Sequence, residues 1–364
     1  MKLLDADNMA DYLRSAGRID PQAKVKVELL SGGVSNAVLR VEPDGGDPFV
    51  IKQAREKLRT EAPWFSRLDR IWRETAVISA VHPLLPTGAV PRILFEDREN
   101  YLFAMEAVDS RHVVWKKELL DGRIRPEVPV RLAEYLAAIH RETHRVAEIE
   151  REFDDRTVFV ELRVDPFYQH IAAVHPRLCP SIDALVDEMW RTRVCLVHAD
   201  FSPKNVLLVD SALRPRPPGA SASQNGLQVT LVDFETGHYG DPAFDLGFFL
   251  SHLVLKGVRA GDEAGTGADQ YRGLAETFWQ RYKSEIASVT DDPAFEFVSL
   301  ERRAMAHLAG CALARVDGTS PVDYLPHTSQ REIVRRVGRR ILLEGIQSLT
   351  AVYSLLTSQV QHET

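Results

Sequence analysis

The sequence is poor in cysteine and has no excess of positive charge. It contains three cysteines, whose odd number and wide spacing fit neither a disulfide framework nor a zinc site: Cys179, Cys195 and Cys311. The formal net charge is -7, with acidic and basic residues interspersed, which argues against a surface dedicated to nucleic acid or to a membrane. We therefore expect neither of these partners, and a reducing, cytoplasmic setting.

Long apolar runs are also missing. The first residues carry acids where a signal peptide needs an apolar core, and no stretch approaches the roughly 18 apolar residues of a membrane span. We expect a protein that is neither exported nor embedded in a membrane. Its 364 residues, 45% of them hydrophobic, are enough to build more than one core, which favours two lobes.

The first hundred residues are rich in strand patterns. Short β-type runs separated by Gly, Pro and Asp predict an antiparallel meander at 25–30, 36–42 and 48–54. Helical spacing follows at 66–81, and 92–106 then predicts two more strands around a turn. Five strands and one helix would make a small lobe.

The pattern becomes helical after about residue 125. We predict an N-terminal lobe at 1–107 and a larger, mainly helical lobe at 108–364. Residues 211–226 are rich in Pro, Gly and Ser, which indicates a flexible surface excursion between two strands.

Polar residues interrupt the apolar stretch LVHADFSPKNVLLVD at 196–210. A carboxylate on such a loop, here Asp200, can accept a proton from a substrate hydroxyl, and the carboxamide oxygen of Asn205 can bind a hard cation such as Mg²⁺. A later strand ends at Asp233, which is well placed to be a second metal ligand. Together these residues suggest phosphoryl transfer.

Residues of the first lobe complete the pattern. Lys52 lies inside the apolar strand FVIKQA, where an ammonium group is costly unless an anion meets it. Glu74, on the predicted helix, is the candidate partner, with Glu56 and Glu61 as alternatives. The turn before the second strand would let backbone N–H groups approach a phosphate through Gly32, Gly33, Ser35 and Asn36.

The set resembles the aminoglycoside phosphotransferase and choline kinase superfamily. The matching motifs are His198-x-Asp200-x-x-x-x-Asn205, then Asp233, then the segment GDPAFDLG at 240–247. The resemblance implies an α+β, bilobal, protein-kinase-like fold, with a small antiparallel β N-lobe plus one helix and a larger, mainly α C-lobe. It also implies ATP and Mg²⁺ as cofactors, although the sequence leaves GTP open as the nucleotide.

In protein kinases the corresponding groups have defined roles. The resemblance therefore implies that Asp200 acts as base, that Asn205 and Asp233 hold Mg²⁺, and that Lys52, paired with Glu74, binds the nucleotide phosphates. The backbone around Glu106 and Val108 would bind adenine.

The roles of the neighbouring residues are less specific. Lys204 either reaches the transferred phosphoryl group, and we include it among the catalytic residues on that basis, or faces solvent. His198 is expected to pack under the loop, and Asp241 and Asp245 to brace it.

Two motifs depart from the family pattern. Ala199 stands where the family commonly has Gly, which is harmless if φ there is negative, and Glu235 stands where protein kinases have the Gly of Asp-Phe-Gly. We therefore expect a fixed metal site. Six residues separate Asp233 from Gly240, which leaves no room for a peptide-docking activation segment. A small-molecule acceptor is thus favoured over a protein.

The acceptor is only partly constrained. Family substrates include aminoglycosides, choline or ethanolamine, homoserine and methylthioribose. One predicted helix carries five arginines that weigh against polycationic aminoglycosides, although a solvated helix face explains them as well: Arg331, Arg335, Arg336, Arg339 and Arg340. Residues 238–257 are similar to the corresponding region of methylthioribose kinases, and Arg315 and Asp317 lie where a helix-to-loop transition could face the substrate.

We favour a neutral or anionic sugar-like alcohol as the acceptor. Choline stays open, because four aromatic residues could form a cage for its ammonium group: Trp190, Trp279, Tyr271 and Tyr282. An alternative of another class is a catalytically silent kinase-like module that only binds nucleotide. The oligomeric state does not follow from the sequence.

Overall fold

The computed structural model describes residues 1–30, 36–55, 67–210, 226–264 and 267–361, with only the backbone described at 262–264 and 359–361. Two compact units are present, and each is described separately below. Unit 1 comprises Met1–His112 and Val209–Glu235, and unit 2 comprises Val113–Leu208 and Thr236–Thr364.

The units differ in two respects from the two lobes predicted at 1–107 and 108–364. The first boundary falls after His112, and Val209–Glu235 group with unit 1, although we predicted these residues in the second lobe. Of the predicted excursion at 211–226, only Gly226 lies within the described residues.

Unit 1 is built around a five-stranded antiparallel sheet. Its strands are β1 (Val25–Leu29), β2 (Asn36–Pro43), β3 (Phe49–Ala54), β4 (Ile93–Asp97) and β5 (Leu102–Glu106). Their order is β1-β2-β3-β5-β4, so that β3 lies at the centre. The five predicted strands are confirmed, and so is the predicted helix, α2 (Arg70–Val81).

A second helix covers the other face of this sheet. The short helix α1 (Met9–Ser15) was not predicted, because seven residues at an acidic N-terminus carry little periodic signal. Its buried residues Met9, Tyr12 and Leu13 join a core with Leu39 and Ile51 of the sheet. Neighbouring residues of a strand point to opposite faces, so Lys52 points away from this core.

Unit 2 is mainly helical, as predicted. Its first helices are α3 (Trp115–Leu120), α4 (Glu127–Glu142), α5 (Ala147–Phe153), α6 (Thr157–Phe159), α7 (His170–Val174) and α8 (Cys179–Arg191). Between α6 and α7 the chain forms a π-helix at Val160–Gln169. The later helices are α9 (Pro242–Ala264), α10 (Gly267–Glu285), α11 (Phe297–Asp317), α12 (Thr328–Glu344) and α13 (Leu349–Gln361).

Short strands complete the described structure. They are β6 (Val113–Val114), β7 (Cys195–Val197), β8 (Val206–Asp210), β9 (Leu227–Leu231) and β10 (His238–Gly240). In unit 2, β7 pairs with β10, and β6 pairs with residues Leu207 and Leu208 of β8; both pairs are antiparallel. The loop that carries Asp200 therefore begins directly after β7.

Helix α9 packs closely against α11 through Gly247. A Cβ atom built at Gly247 would lie 2.4 Å from the carbonyl oxygen of Ala304 and 2.7 Å from the backbone nitrogen of Leu308. Because both atoms belong to the backbone of α11, they cannot move aside as a flexible side chain would. Gly247 therefore fixes how closely these two helices approach.

The cysteines form no disulfide with one another. All three cysteines are free thiols, and Cys195 and Cys311 are buried. Within the residues that the structure describes, no helix is both long and apolar enough to cross a membrane.

We predict that Gly247→Ala destabilises the protein by about 1–3 kcal/mol, the cost of overpacking a core. The matched control is Gly273→Ala in α10, where an added Cβ meets nothing within 4 Å and the site is exposed. This control should gain up to about 1 kcal/mol from the better helix propensity of Ala. Urea denaturation of both variants measures the difference, and equal stabilities would contradict the packing argument.

Candidate active site

Lys52 is buried on the central strand of the unit 1 sheet. Its Nζ lies 2.6 Å from Oε1 of Glu74 on α2 and 2.9 Å from Oδ1 of Asp233. The predicted partnership with Glu74 is thus present, and the alternatives Glu56 and Glu61 lie outside the described residues. The side chain of Lys52 is 6% exposed, so its ammonium group is not surrounded by water.

The carboxylates around Lys52 stabilise its charge. Burial alone would lower the pKa of Lys52, but Asp233, Glu74 and Glu235 outweigh it and raise the pKa above its usual range. Burial raises the pKa of Glu74 to about 7, because the fully buried carboxylate also lies near two other acids and is only partly compensated by Lys52. Lys52 is therefore a permanently charged cation in a polar cluster.

Glu235 is tied to the same unit by a second network. Its Oε2 lies 3.4 Å from Nε of Arg70 and accepts a hydrogen bond of 3.3 Å from the amide of Asn36. The carbonyl oxygen of Asn36 in turn accepts from Arg70. The residue that replaces the glycine of Asp-Phe-Gly is thus anchored to α2 and β2, as a fixed segment requires.

The predicted nucleotide-binding residues lie in several places. Gly32, Gly33 and Ser35 lie outside the described residues. Glu106 ends β5, where its side chain pairs with Arg92 and its N–H donates to the carbonyl of Arg92.

The backbone carbonyl of Val108 accepts a hydrogen bond of 2.8 Å from Arg40. The adenine-binding role of the segment around Glu106 and Val108 stays a prediction. The same holds for the phosphate-binding role of the turn before β2.

In unit 2, Asp245 holds the loop that carries Asp200. The Asp245 carboxylate accepts hydrogen bonds from the backbone N–H groups of His198, at 2.8 Å, and Ala199, at 2.7 Å. His140 contacts the same carboxylate at 3.2 Å, and all these groups are buried. The expectation that Asp245 braces the loop is confirmed.

Asp241 does not contact the loop, contrary to our expectation. Its carboxylate pairs with Arg303 at 2.9 Å and accepts from the backbone N–H of Ala243 in the first turn of α9. The reason is positional: in α9 the carboxylate four residues further along, Asp245, occupies the place below the loop. His198 is buried and accepts the N–H of Asp200 at its Nδ1, which agrees with the expected packing role.

Asp200 is enclosed by cations. Oδ1 lies 2.5 Å from Nη2 of Arg163, and Oδ2 lies 2.9 Å from Nζ of Lys204. Burial alone would raise the pKa of Asp200, but Arg163 and Lys204 more than offset it and hold that pKa well below its usual range. Asp200 is therefore ionised at any physiological pH, and Lys204 points at it rather than simply into solvent.

Asn205 is oriented by the same loop. Its Nδ2 donates to the backbone carbonyl and to Oδ2 of Asp200, both at 2.9 Å. With both amide hydrogens used, the carbonyl oxygen is the group left to bind something else. That oxygen is a hard donor of the kind that Mg²⁺ and Ca²⁺ prefer.

Two residues of the motifs have left-handed backbone. Ala199 has φ of 59° and Asp233 has φ of 72°. The condition under which Ala199 would be harmless, a negative φ, is therefore not met, and a residue with a Cβ is held in a region that costs about 1 kcal/mol or more. Such strain is typical of functional loops whose surroundings fix them.

Sequence reasoning missed Arg163, which contacts the loop twice. Besides pairing with Asp200, it donates from Nε to the carbonyl of Ala199 at 3.1 Å. It lies in the π-helix, a geometry that often occurs at functional sites and has no clear sequence signature. Its immediate neighbours are Leu162 and Val164, with Glu161 and Asp165 beyond them, so the sequence gives Arg163 no distinctive signal.

Each unit offers an oxygen donor of a kind that suits a divalent cation. The Asp233 carboxylate is 26% exposed and the Asn205 carboxamide is fixed with its oxygen available. Among the described residues there is no group of three or more His, Cys, Asp and Glu side chains suited to a metal. Mg²⁺ does not require such a cluster, because it binds through one or two protein carboxylates and keeps several waters and substrate oxygens as ligands.

The predicted arginine-rich helix is α12, and several of its arginines pair with acids of α12 or of the neighbouring helix α11. Arg335 pairs with Asp317 at 2.7 Å, and Arg340 pairs with Glu344. Asp317 also contacts His175 at 2.8 Å, so that its carboxylate is already engaged. These contacts favour a structural role for α12 and Asp317.

The aromatic residues considered for a choline cage are mostly in the core. Tyr271, Trp279 and Tyr282 are at least 97% buried along α10, and Tyr282 contacts His140 through its hydroxyl. The ring of Trp190 lies under the guanidinium of Arg156, at 4.4 Å. This placement gives the choline alternative no support.

The sequence matches the model of a known protein family. The sequence model of the phosphotransferase enzyme family (APH) matches residues 26–283. The chain therefore belongs to the phosphotransferase enzyme family. Both clusters described above, around Lys52 and around Asp200, fall within the matched range.

Kinases of small molecules are among its relatives. Methylthioribose kinase of Yersinia pestis (strain Pestoides F) is 24% identical over 385 aligned positions, which cover 93% of this chain and 90% of the relative. Methylthioribose kinase of Pectobacterium carotovorum subsp. carotovorum (strain PC1) is 25% identical over 315 positions, covering 79% and 77%.

A solved structure shares the fold. Amicoumacin kinase hAmiN, in complex with AMP-PNP, Ca²⁺ and Ami, has a TM-score of 0.50 at 14% identity and covers 96% of this chain and 97% of its own. The predicted kinase-like fold is confirmed, and the protein is an enzyme, a phosphotransferase that acts on small molecules.

We predict that Lys52→Met destabilises the protein by about 3–5 kcal/mol, the cost of breaking a buried ion pair. Without Lys52 the pKa of Glu74 rises further, so the folded protein holds a proton that the unfolded chain releases. Stability falls with rising pH in both proteins up to about pH 7, where wild-type Glu74 releases its proton, and only the variant goes on losing stability above it. The cost of Lys52→Met should therefore grow as pH rises above about 7.

Two further variants test the cause. Adding Glu74→Gln to Lys52→Met should remove this extra pH dependence and recover part of the stability. Lys26→Met, on the same sheet but with its side chain 67% exposed, should have little effect. Urea denaturation across the pH range measures all four proteins, and a Lys52→Met cost that does not change with pH would contradict the argument.

Proposed function

We propose that the protein transfers the γ-phosphoryl group of ATP to a hydroxyl group of a small, sugar-like molecule. The observation that carries the proposal is the environment of Asp200: a buried, ionised carboxylate on a loop fixed by Asp245, with Asn205 hydrogen-bonded beside it. The names of the relatives support it, since methylthioribose kinases act on a sugar derivative and hAmiN was solved with a nucleotide analogue and a divalent cation.

In the proposed reaction, Asp200 orients the acceptor hydroxyl. Phosphoryl transfer passes through a loose transition state in most analyses, so positioning matters more than early proton removal. A carboxylate with a low pKa suits this role, because it accepts a hydrogen bond from the hydroxyl and takes the proton late. Lys204 and Arg163 hold Asp200 in one orientation and, with their charge, stabilise negative charge nearby.

Lys52 would bind the α- and β-phosphates of the nucleotide. Its ammonium group is already held by Glu74 and Asp233, so it needs no rearrangement of its strand to meet an anion. Asp233 and Asn205 would hold Mg²⁺, which neutralises charge on the phosphate oxygens when it is bound. The backbone near Glu106 and Val108 would bind adenine, and the turn of Gly32, Gly33, Ser35 and Asn36 the phosphates.

We predict that Asp200→Ala lowers kcat by about 10²- to 10⁴-fold, the usual contribution of a positioned acid or base. Binding of Mg²⁺-ATP should be nearly unchanged. The matched control is Asp187→Ala, at an exposed position of α8, which should keep full activity. The measurements are acceptor-dependent ADP release with a panel of pentoses, thiopentoses, amino alcohols, homoserine and aminoglycosides, and calorimetric binding of the nucleotide.

The possible results separate the alternatives. ADP release that needs a pentose or thiopentose and is lost in Asp200→Ala supports the proposal. Release with an amino alcohol or an aminoglycoside would replace the proposed acceptor class. Nucleotide binding without any acceptor-dependent release would favour the catalytically silent module, and an unchanged rate in Asp200→Ala would refute the role of that residue.

A further inference from the structure

A group of polar side chains in unit 2, three of them buried and Arg315 half-buried, has no evident role in the reaction described above. We call His252, Lys256, Arg315 and Tyr324 the basic cluster. His252 and Lys256 lie one turn apart on α9, Arg315 lies in the last turn of α11, and Tyr324 follows α11. Nζ of Lys256 lies 5.1 Å from the centre of the Tyr324 ring.

Several hydrogen-bonding groups of the cluster are unused, although Nη1 of Arg315 donates to the carbonyl of Ser320 at 2.9 Å. Nε2 of His252, Nε of Arg315 and the hydroxyl of Tyr324 are buried and have no hydrogen-bond partner within the described residues. Lys256 is 1% exposed and donates to the carbonyl of His252, at 3.2 Å, although an ammonium group has three donors. Each such buried group costs about 1–3 kcal/mol if it stays unpaired. One bound ligand that pairs with several of these groups would remove this cost.

The cluster also lacks compensation for its positive charge. Burial, followed by the charges of Lys116 and Arg315, lowers the pKa of Lys256 well below its usual range. Within the part of the chain that the structure describes, Asp200 and Asp323 are the carboxylates that act on the cluster. Asp200 is already paired with Arg163 and Lys204, and Asp323 has a side chain that is 87% exposed and 3.9 Å from Lys116. An anion bound here would supply the missing charge.

The cluster lies close to Asp200 within the same unit. The guanidinium of Arg163, which contacts Asp200, lies 5.5 Å from the centre of the Phe248 ring, and the ring of His252 packs against the same ring at 5.1 Å. Asp200 raises the pKa of His252 and Lys204 lowers it, both as minor effects, so both charges are within electrostatic range. A small molecule with its hydroxyl at Asp200 can therefore reach the cluster.

We propose that the acceptor carries an oxyanion group, a carboxylate or a phosphate, that binds the basic cluster while its hydroxyl group meets Asp200. This inference rests on the proposed function, which places the hydroxyl group of the acceptor at Asp200. Lys256 and Arg315 supply charge, and neutral His252 and Tyr324 supply single donors. The acceptor is then an acidic sugar derivative or hydroxy acid rather than a neutral sugar.

The first test uses sets of acceptors that share a carbon skeleton and differ in charge. The probes are ribose, ribonate and ribose 5-phosphate, with glycerol, glycerate and glycerol 3-phosphate as a shorter set. Calorimetric binding without nucleotide and ADP release with Mg²⁺-ATP are measured for each. We expect an acidic member to bind at least tenfold more tightly than its neutral counterpart, and the preferred acid shows whether carboxylate or phosphate is recognised.

Variants of the basic cluster test whether it causes the tighter binding of acidic acceptors. Lys256→Met should weaken binding of the preferred acid by roughly 10- to 100-fold, as expected for a charge-assisted hydrogen bond, and leave neutral acceptors unaffected. It should also raise the Tm of the ligand-free protein, because it removes a buried charge. Tyr324→Phe should weaken binding by a smaller factor. Because it keeps the aromatic ring, it is expected to fold normally, so weaker binding in this variant cannot be attributed to misfolding.

The control is Lys283→Met, which replaces another lysine of unit 2 that lies over aromatic rings, those of Trp279 and Phe297. It should leave binding of the acids unchanged. The inference is overturned if no acid of either set binds more tightly than its neutral counterpart, or if Lys256→Met and Tyr324→Phe both bind the acids like the wild type. Binding of an acid that depends on Lys256, without turnover, would support the cluster while refuting the proposed phosphoryl transfer.

Discussion

The carboxylate of Asp245 is the constraint on which the loop that carries Asp200 depends. It accepts the N–H groups of His198 and Ala199 at 2.8 Å and 2.7 Å, from a position with no access to solvent. Hydrogen bonds to a buried carboxylate are strong, and they offset a left-handed backbone at Ala199 that would otherwise be unfavourable. Because the loop cannot relax, Asp200 and Asn205 keep their relative placement before any ligand binds.

In unit 1 a buried charge is also held by fixed partners, and there the charge is the cation Lys52. Lys52 occupies the central strand, where its burial is tolerable only because Glu74 and Asp233 lie within 3 Å of its ammonium group. The pair also connects β3 to α2, and Arg70 of that helix holds Glu235. A nucleotide phosphate would therefore meet a charge whose position is set by a sheet and a helix rather than by a flexible side chain.

The sequence predicted those parts of the protein that local patterns encode. The strands of unit 1, helix α2 and the Lys52–Glu74 pair follow from periodicity and from the cost of a lone charge in an apolar strand. Arg163 and the grouping of the basic cluster could not be found in this way, because their members are distant in sequence and meet only in the folded unit. Arg315 alone was considered as a residue that could face the substrate. The short helix α1 and the contacts of Asp241 were missed for similar reasons, since tertiary packing decides them.

Helix α9 carries two kinds of residue on one face. Asp245, His252 and Lys256 are spaced by seven and four residues, so they line up along about three turns, while Gly247 seats the helix against the backbone of α11. The residue that holds the loop of Asp200 and two of the residues proposed to recognise the acceptor thus lie on the same helix, but on different turns of it. Exchanges two or three turns from Asp245 can change which molecule is selected while the chemistry stays intact, which offers descendants of this enzyme a simple route to new substrates.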